Sequence, residues 1–307
     1  MQENRKKSTN RQMSRSEIRR RRKRRAYIRY YLRLLTFLAV CIIALVVVSK
    51  GVIKIIDSFS SETIDFEEDK VELEAKIENL NDLLDTKKQE DLLNKILENE
   101  SDYPSNLVKL AKNKPETRQF VYDYLEKSKE VVGQASQISV ISDCENVRIP
   151  YFRQWDERWG YYLYGDDFLA LTGCGPTCLS MVYVGLTKDT SENPYTISAF
   201  SEKQGYFVSN SGTSWELMSE GAEALGLESK TVSLDEEIIN NTLDEGRIII
   251  ASMGPGDFTS KGHFIVIVGY TDKGYEIRDP DSITRTNKFW TFDKIKGQIK
   301  NLWAFSS

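Results

Sequence analysis

Cys174 has sequence neighbours that suit a reactive thiol. It lies in the run Gly-Cys-Gly-Pro at 173–176, where two glycines allow a sharp backbone turn and a close approach of other atoms. Pro176 has no N–H and suits the first turn of a helix. The pattern therefore predicts that Cys174 lies at a helix N-terminus, whose dipole favours the thiolate, the reactive form of a cysteine nucleophile. A buried structural cysteine is the alternative interpretation.

His263 is the single histidine of the chain and begins an apolar run. An imidazole exchanges protons near neutral pH, so it is the natural partner of a thiol. Asp279 ends the next predicted strand, and a turn near 271–274 predicts that the two strands form a hairpin. Positions 263 and 279 have equal parity, so an even pairing register places both side chains on one face, where Asp279 would orient the imidazole. The alternatives are a structural histidine and an Asp-Pro turn, with Asp281 as the nearest substitute for Asp279.

The remaining cysteines predict neither a disulfide framework nor a metal site. The chain has 307 residues and four cysteines, which is too few for a disulfide scaffold of this size. Cys178 falls one helical turn after Cys174, a spacing that does not suit a disulfide, and is expected to pack in the core. Because there is one histidine, zinc sites that need several imidazoles are excluded. We expect no metal and no cofactor.

The segment that must position these residues begins near residue 144, where glycines, aromatic residues and β-branched runs become frequent. Helices are predicted first and strands dominate later, which is an α+β pattern. The apolar run 264–268 predicts a strand buried on both faces. Thr213 and Glu216 predict a capping box at the start of a helix over 214–225. The predicted helices are 178–185, 196–204, 214–225 and 235–243, and the predicted strands are 247–253, 263–270 and 274–278.

Four short segments of residues 144–307 together resemble family thirty-nine of the cysteine peptidases, in its stand-alone, family thirty-nine-like branch. They occur in the order Gln, Cys, His, Asp. The matching segments are Tyr151-Phe152-Arg153-Gln154-Trp155-Asp156, Gly173-Cys174-Gly175-Pro176-Thr177, Gly262-His263-Phe264-Ile265-Val266 and Arg278-Asp279-Pro280. The segment around Tyr103–Leu125 also resembles the preamble of bacterial members of this branch.

The resemblance implies a papain-like fold and a role for each matching residue. Cys174 would be the nucleophile, His263 the base and Asp279 the residue that orients the imidazole. Gln154 would supply the oxyanion hole together with the backbone N–H of Cys174. The implied substrate is a polypeptide or peptide. The best-known members cut double-glycine leader peptides and are fused to ATP-driven exporters, whereas this sequence has no phosphate-loop signature.

The first 56 residues predict a membrane anchor. Residues 1–33 form a basic arm with 14 Lys or Arg and two Glu, and residues 34–56 form an apolar run long enough for one transmembrane helix. Basic flanks stay in the cytoplasm, so we expect the N-terminus inside and the C-terminal domain outside, with lipid contacting the single span. A cleaved signal peptide is the alternative. The basic cluster is interpreted as a topology signal, and no nucleic acid is expected as a partner.

Residues 57–143 predict a helical spacer and linker that lifts the next domain off the membrane. Leu73, Ile77, Leu80 and Leu84 form a short heptad-like stripe. Self-association or partner binding through this spacer is the alternative to a simple stalk. Residues 144–307 hold all four candidate site residues and are expected to fold as a soluble domain without the span.

Four functions are compatible with the sequence. The first is a membrane-anchored extracellular cysteine peptidase. The second is a cell-wall peptide hydrolase or an acyl transferase on a papain-like fold. The third is a catalytically inactive peptide-binding module, against which the presence of all four site residue types argues. The fourth is a nucleic-acid-binding membrane protein, which predicts strongly salt-dependent binding by residues 1–33.

The predicted topology is testable on intact cells. A protease added outside should digest residues 57–307 and leave residues 1–33 protected, because the basic flank holds the N-terminus in the cytoplasm. Immunoblotting with tags at each end measures both fragments, and permeabilised cells provide the control in which both ends are cut. Protection of the C-terminal domain in intact cells would contradict the anchored-outside arrangement.

Overall fold

The computed structural model describes residues 66–307. The basic arm predicted at 1–33 and the transmembrane anchor predicted at 34–56 lie outside the described residues. Within 66–307, no helix combines the length and apolar character that a membrane crossing requires. The compact unit that contains the candidate site comprises residues 79–307.

The described chain alternates helices and strands in an α+β arrangement, which confirms the predicted fold class. Five 3-10 turns occupy Glu100–Asp102, Pro115–Thr117, Ala135–Gln137, Ser142–Cys144 and Trp215–Met218. The helices are α1 Phe66–Glu98, α2 Ser105–Asn113, α3 Arg118–Val131, α4 Leu169–Thr172, α5 Cys174–Thr187, α6 Pro194–Lys203, α7 Glu220–Ala224, α8 Glu236–Asp244, α9 Ile283–Thr286 and α10 Phe292–Ile295. The strands are β1 Leu163–Tyr164, β2 Asp167–Phe168, β3 Phe207–Val208, β4 Gly212–Thr213, β5 Glu228–Thr231, β6 Ile248–Met253, β7 His263–Thr271, β8 Gly274–Arg278, β9 Phe289–Trp290 and β10 Ile299–Ser306.

A six-stranded antiparallel sheet is the frame of the unit, with strand order β5-β10-β6-β7-β8-β9. The predicted hairpin is β7 and β8, joined by a tight turn after Thr271. Val266 pairs with Arg278 and Ile267 with Ile277, which is the even register that the parity argument required. The bulge that shifts this register lies further along, between Ile267 and Gly269, and so leaves the end near His263 unaffected.

Both faces of the sheet are covered, as the apolar run in β7 predicts. Phe264 and Val266 belong to the core that also contains buried residues of α5 such as Leu179. Ile265 and Ile267 point into a second core with side chains from α8, α10 and the neighbouring strands. The alternation follows from the two-residue period of a strand. It fixes β7 between two apolar layers and makes a slip in its register costly.

Two details of the helices differ from the sequence prediction. The helix expected over 214–225 is divided into a 3-10 turn and the short α7, with the break at Ser219. The capping box of Thr213 and Glu216 does not form, because Thr213 is in β4 and Ser214 occupies the N-cap position without a capping side-chain bond. Helix α5 begins at Cys174 itself, in agreement with the Gly-Cys-Gly-Pro pattern but four residues before the range predicted for this helix, 178–185.

Residues 79–143 of the predicted spacer pack against residues of the domain that follows. A third core joins Leu107, Val108 and Phe120 to Trp155 and Tyr161, which lie beyond the boundary predicted at residue 144. Phe120 and Tyr161 are stacked with ring centroids 4.3 Å apart. Residues 79–143 therefore belong to the same compact unit as residues 144–307. Sequence periodicity finds helices but not the surface on which they pack.

This shared core changes the expectation for truncated proteins. A fragment of residues 144–307 uncovers Trp155 and Tyr161, and each large apolar side chain left exposed loses roughly 1.5–3 kcal/mol of burial free energy. Since domains are stable by only about 5–15 kcal/mol, we expect the fragment 79–307 to unfold cooperatively and the fragment 144–307 to be unfolded or aggregated. Circular dichroism with urea titration measures this. Equal midpoints for the two fragments would contradict the structural role of residues 79–143.

Candidate active site

Cys174 is the first residue of α5, as the sequence predicts, and its side chain is half-buried. The flanking glycines are required by crowding. A Cβ at position 173 would lie 2.5 Å from the carbonyl oxygen of Leu169, and one at position 175 would lie 2.7 Å from the side chain of Thr213. Any larger residue at either position would push the thiol away from its place at the helix N-terminus, where the dipole favours an anion.

His263 begins β7 and is buried next to Asp279. Its Nε2 lies 2.8 Å from Oδ1 of Asp279, and the ring lines the same cavity as the side chain of Cys174. Burial alone would lower the pKa of His263. The negative charge of Asp279, the hydrogen bond to it and the interaction with Cys174 outweigh burial and raise this pKa well above its usual value. These surroundings favour the protonated form of the imidazole.

Asp279 is fully buried and has several donors. Its Oδ1 accepts a hydrogen bond from the backbone N–H of Asp281 at 2.8 Å in addition to the contact with His263. Its Oδ2 accepts a bond from Nε of Arg285. Burial would raise the pKa of Asp279, but the charges and hydrogen bonds of His263 and Arg285 outweigh it and lower the pKa to about 2. Asp279 is thus a fixed anion at neutral pH.

Gln154 is buried beside the same cleft. Its Nε2 donates to the carbonyl oxygen of Ala170 at 2.8 Å, and its backbone N–H donates to the carbonyl oxygen of Pro280 at 2.8 Å. A primary amide has two N–H donors, so one remains after the bond to Ala170. The side-chain oxygen of Gln154 is buried and has no hydrogen-bond partner in the structure.

The four predicted residues are brought together around one cleft. Gln154, Cys174 and His263 line a cavity of about 220 Å³, and Asp279 lies behind the imidazole of His263. The other lining residues are Leu110, Lys114, Ala170, Leu171, Phe258, Thr259, Gly262 and Asp281. A larger cavity of about 570 Å³, lined by Glu116, Trp155 and Arg158 among others, contains none of the four.

Sequence reasoning missed three residues at the site. Arg285 contacts Asp279, Tyr151 donates from its hydroxyl to the carbonyl oxygen of Asp279 at 2.9 Å, and Lys114 lines the cleft from the end of α2. Tyr151 lies in a segment that resembles the peptidase family, but the sequence predicts no role for its side chain. Nothing in the local sequence distinguishes Arg285 or Lys114 from ordinary surface cations, because their partners are distant in sequence.

Cys178 has no part in the cleft. It is fully buried in the core below α5, as predicted, and burial raises the pKa of its thiol well above the usual value. Cys144, Cys174 and Cys178 are all free thiols in the structure. Among residues 66–307, no group of His, Cys, Asp and Glu side chains is arranged to hold a metal ion.

Comparison with known proteins identifies the family. No curated protein matches the chain. The peptidase domain of Streptococcus ComA, described as a bi-functional ABC transporter involved in a quorum sensing pathway, is 21% identical, with 44% of this chain and 92% of that chain covered and a TM-score of 0.34. A protein from Bacillus anthracis described as a C39-like peptidase is 14% identical, with 52% and 94% covered and a TM-score of 0.33.

The assignment rests on a sequence match rather than on these two structures. The model of the Peptidase_C39 like family matches residues 147–306, which is about half of the chain and contains all four candidate site residues. The observed α+β arrangement fits a papain-like fold. The chain therefore belongs to the Peptidase_C39 like family.

Proposed function

We propose that the protein is a cysteine peptidase that hydrolyses peptide bonds with Cys174 as its nucleophile. The observation that carries this proposal is the buried imidazole of His263, which lines one cleft with Cys174 and has Nε2 2.8 Å from Oδ1 of Asp279. This is the nucleophile, base and orienting group of a thiol hydrolase. Family membership supports a peptide as the substrate.

The proposed reaction begins with a thiolate–imidazolium pair. The sulfur of Cys174 attacks the scissile carbonyl carbon, and the resulting oxyanion accepts hydrogen bonds from the free N–H of Gln154 and the backbone N–H of Cys174. His263 transfers its Nδ1 proton to the leaving amine, and the C–N bond breaks to give a thioester. The neutral imidazole then takes a proton from water, whose oxygen attacks the thioester and releases the acid.

The role of Asp279 in this proposal is to position His263. Its carboxylate engages Nε2, which leaves Nδ1 for the thiol and stabilises the charged ring. The donors from Arg285 and from the backbone of Asp281 keep the carboxylate in place while the imidazole gains and loses its proton. Asp279 itself stays ionised, in agreement with its lowered pKa.

We also propose that the peptidase acts outside the cell on polypeptides or peptides while anchored by residues 34–56. This part of the proposal rests on the basic arm and the apolar run in the sequence. Self-association through the exposed part of α1, where Leu84 faces solvent, is a further proposal of the same kind.

The proposed ion pair predicts that Cys174 and Cys178 differ in reactivity with pH. Because the pKa of His263 is raised, its ring stays protonated as the pH rises through neutrality and stabilises the thiolate of Cys174. Cys174 should therefore react with iodoacetamide at about pH 6, where an ordinary thiol is almost wholly protonated, while buried Cys178 should not. Mass spectrometry of each cysteine across pH 4–10 measures the rates.

His263→Ala should move the Cys174 profile towards alkaline pH, and Asp279→Ala should do so to a lesser degree. Since the chain has no other histidine, any part of the rate–pH profile that reflects the titration of an imidazole can come only from His263. Cys144, which is half-buried and outside the cleft, is the internal reference. Equal rates for Cys174 and Cys178 at about pH 6 would eliminate the catalytic pair.

Substitutions at the site should separate the proposed roles by magnitude. Cys174→Ala and His263→Ala should abolish hydrolysis. Asp279→Ala should lower kcat without abolishing hydrolysis, because it removes the group that orients the imidazole, and Gln154→Ala should lower kcat by about 10²–10³-fold through loss of one oxyanion donor. The assay is cleavage of a peptide library followed by mass spectrometry.

Cys178→Ala is not a suitable control because it opens a cavity in the core, so Cys144→Ser serves instead and should retain activity. An epoxide inhibitor of cysteine peptidases should label wild type and Cys144→Ser but not Cys174→Ala. Cleavage that persists in Cys174→Ala would show that the activity has another source.

A further inference from the structure

We propose that the helical segment 104–117, called the clamp segment below, is a working part of the active site. In this proposal Lys114 and Glu116 are positioning residues that hold the loop 279–286 and, through it, the carboxylate of Asp279. The inference rests on the proposed peptidase function. It assigns a role in positioning the site to residues that the sequence indicates only as a spacer.

The loop that carries Asp279 is built around shared charges. The guanidinium of Arg285 binds Oδ2 of Asp279 through Nε and Oδ2 of Asp281 through Nη2 at 3.2 Å. The backbone N–H of Asp281 donates to Oδ1 of Asp279. Two carboxylates thus compete for one guanidinium, and the position of Asp279 depends on how the charge of Asp281 is otherwise neutralised.

Lys114 supplies that second cation. Its ammonium pairs with the carboxylate of Asp281 and donates to the carbonyl oxygen of the same residue at 3.3 Å. The side chains of Lys114 and Asp281 are only 23% and 20% exposed, so solvent screens this pair less than a surface pair. The indole N–H of Trp155 donates to the same carbonyl oxygen at 3.3 Å. Without Lys114, Asp281 would have Arg285 as its cation. Its carboxylate would then pull the guanidinium of Arg285 away from Asp279.

Glu116 contacts the loop at Ile283, two residues after Asp281. Its Oε2 accepts a hydrogen bond from the backbone N–H of Ile283 at 2.9 Å. Glu116 and Lys114 are two residues apart, so one short stretch of the chain contacts both Asp281 and Ile283. The backbone between Asp279 and Arg285 is therefore attached to the clamp segment at two points.

The clamp segment is rigid enough for this task. Leu107, Leu110 and Ala111 of α2 are buried in the third core, and the hydroxyl of Thr117 donates to the carbonyl oxygen of Lys114 at 2.8 Å. Leu110 and Lys114 also line the cleft together with Cys174. A spacer that only sets a distance from the membrane would have no need of charged contacts with the loop that carries the orienting carboxylate.

The test uses the full-length chain with substitutions in the clamp segment. Lys114→Met removes the charge and keeps the aliphatic stem, and Glu116→Ala removes the acceptor for Ile283. Lys114→Arg and Glu116→Gln are the conservative variants, because they keep a cation and a carbonyl acceptor. Lys112→Met is the matched control, since Lys112 lies on the same helix and makes an exposed ion pair with Glu100 at 2.8 Å.

We expect Lys114→Met and Glu116→Ala to lower kcat by on the order of tenfold, because small displacements of catalytic groups slow the reaction. The concentration of active sites used to calculate kcat is measured by titration with the epoxide inhibitor. Both substitutions should also shift the pH profile of Cys174 alkylation in the direction of the Asp279→Ala profile. Lys114→Arg, Glu116→Gln and Lys112→Met should resemble wild type in both measurements. A purely structural role would reduce the folded fraction without changing the profile of the protein that remains folded.

Measuring the alkylation rate of Cys174 against pH requires no peptide substrate. It therefore tests this inference even if the protein does not hydrolyse peptides. A wild type that alkylates Cys174 at about pH 6 but cleaves no peptide contradicts the proposed function alone. Profiles and kcat values of Lys114→Met and Glu116→Ala that equal those of Lys112→Met overturn the inference alone. Loss of folded protein in those two variants with an unchanged profile in the folded fraction also overturns it.

Discussion

The carboxylate of Asp279 is removed from water completely, and the rest of the site is arranged around that anion. A buried charge is tolerated only when it is paired and hydrogen-bonded, since its lost hydration costs several kcal/mol. Here the compensation comes from three directions: His263 at the start of β7, Arg285 in α9, and the backbone N–H of Asp281. The sheet positions His263, and the loop 279–286 positions Arg285 and Asp281.

The sheet fixes the first of these donors. His263 and Asp279 meet because β7 and β8 pair in an even register, and that register is held by apolar layers on both faces of β7. A slip by one residue would reverse the faces of the whole strand. The same packing places the start of β7 near the N-terminus of α5, where Cys174 completes the set.

The helices before residue 144 support the other side of the anion. Their apolar residues close a core with Trp155 and Tyr161, and their polar residues contact the loop after Asp279. Trp155 takes part in both, because its ring is buried in that core while its N–H donates to the carbonyl oxygen of Asp281. Gln154, its neighbour, lines the cleft and bonds to Pro280 through its backbone. The short segment with Gln154 and Trp155 therefore links the packing of these helices to the geometry of the site.

The local features of this protein follow from short stretches of its sequence. Glycines around Cys174 predicted a tight helix start, equal parity of 263 and 279 predicted a shared face, and an uninterrupted apolar run predicted a strand buried on both sides. These are short-range properties, set by backbone sterics and by the periods of helix and strand. The four motifs that resemble the peptidase family predicted the site residues, in the order Gln, Cys, His, Asp.

The contacts between distant groups are set by the three-dimensional packing of the chain. Lys114 and Asp281 are 167 residues apart, and an ion pair between them leaves no periodic trace in the sequence. Residues on both sides of the boundary predicted at 144 share one core. An amphipathic helix shows in its sequence which face is buried, but not the surface that covers this face. The surroundings of Asp279 depend on such long-range contacts, so the sequence could name the carboxylate but not the cations that keep it buried and ionised.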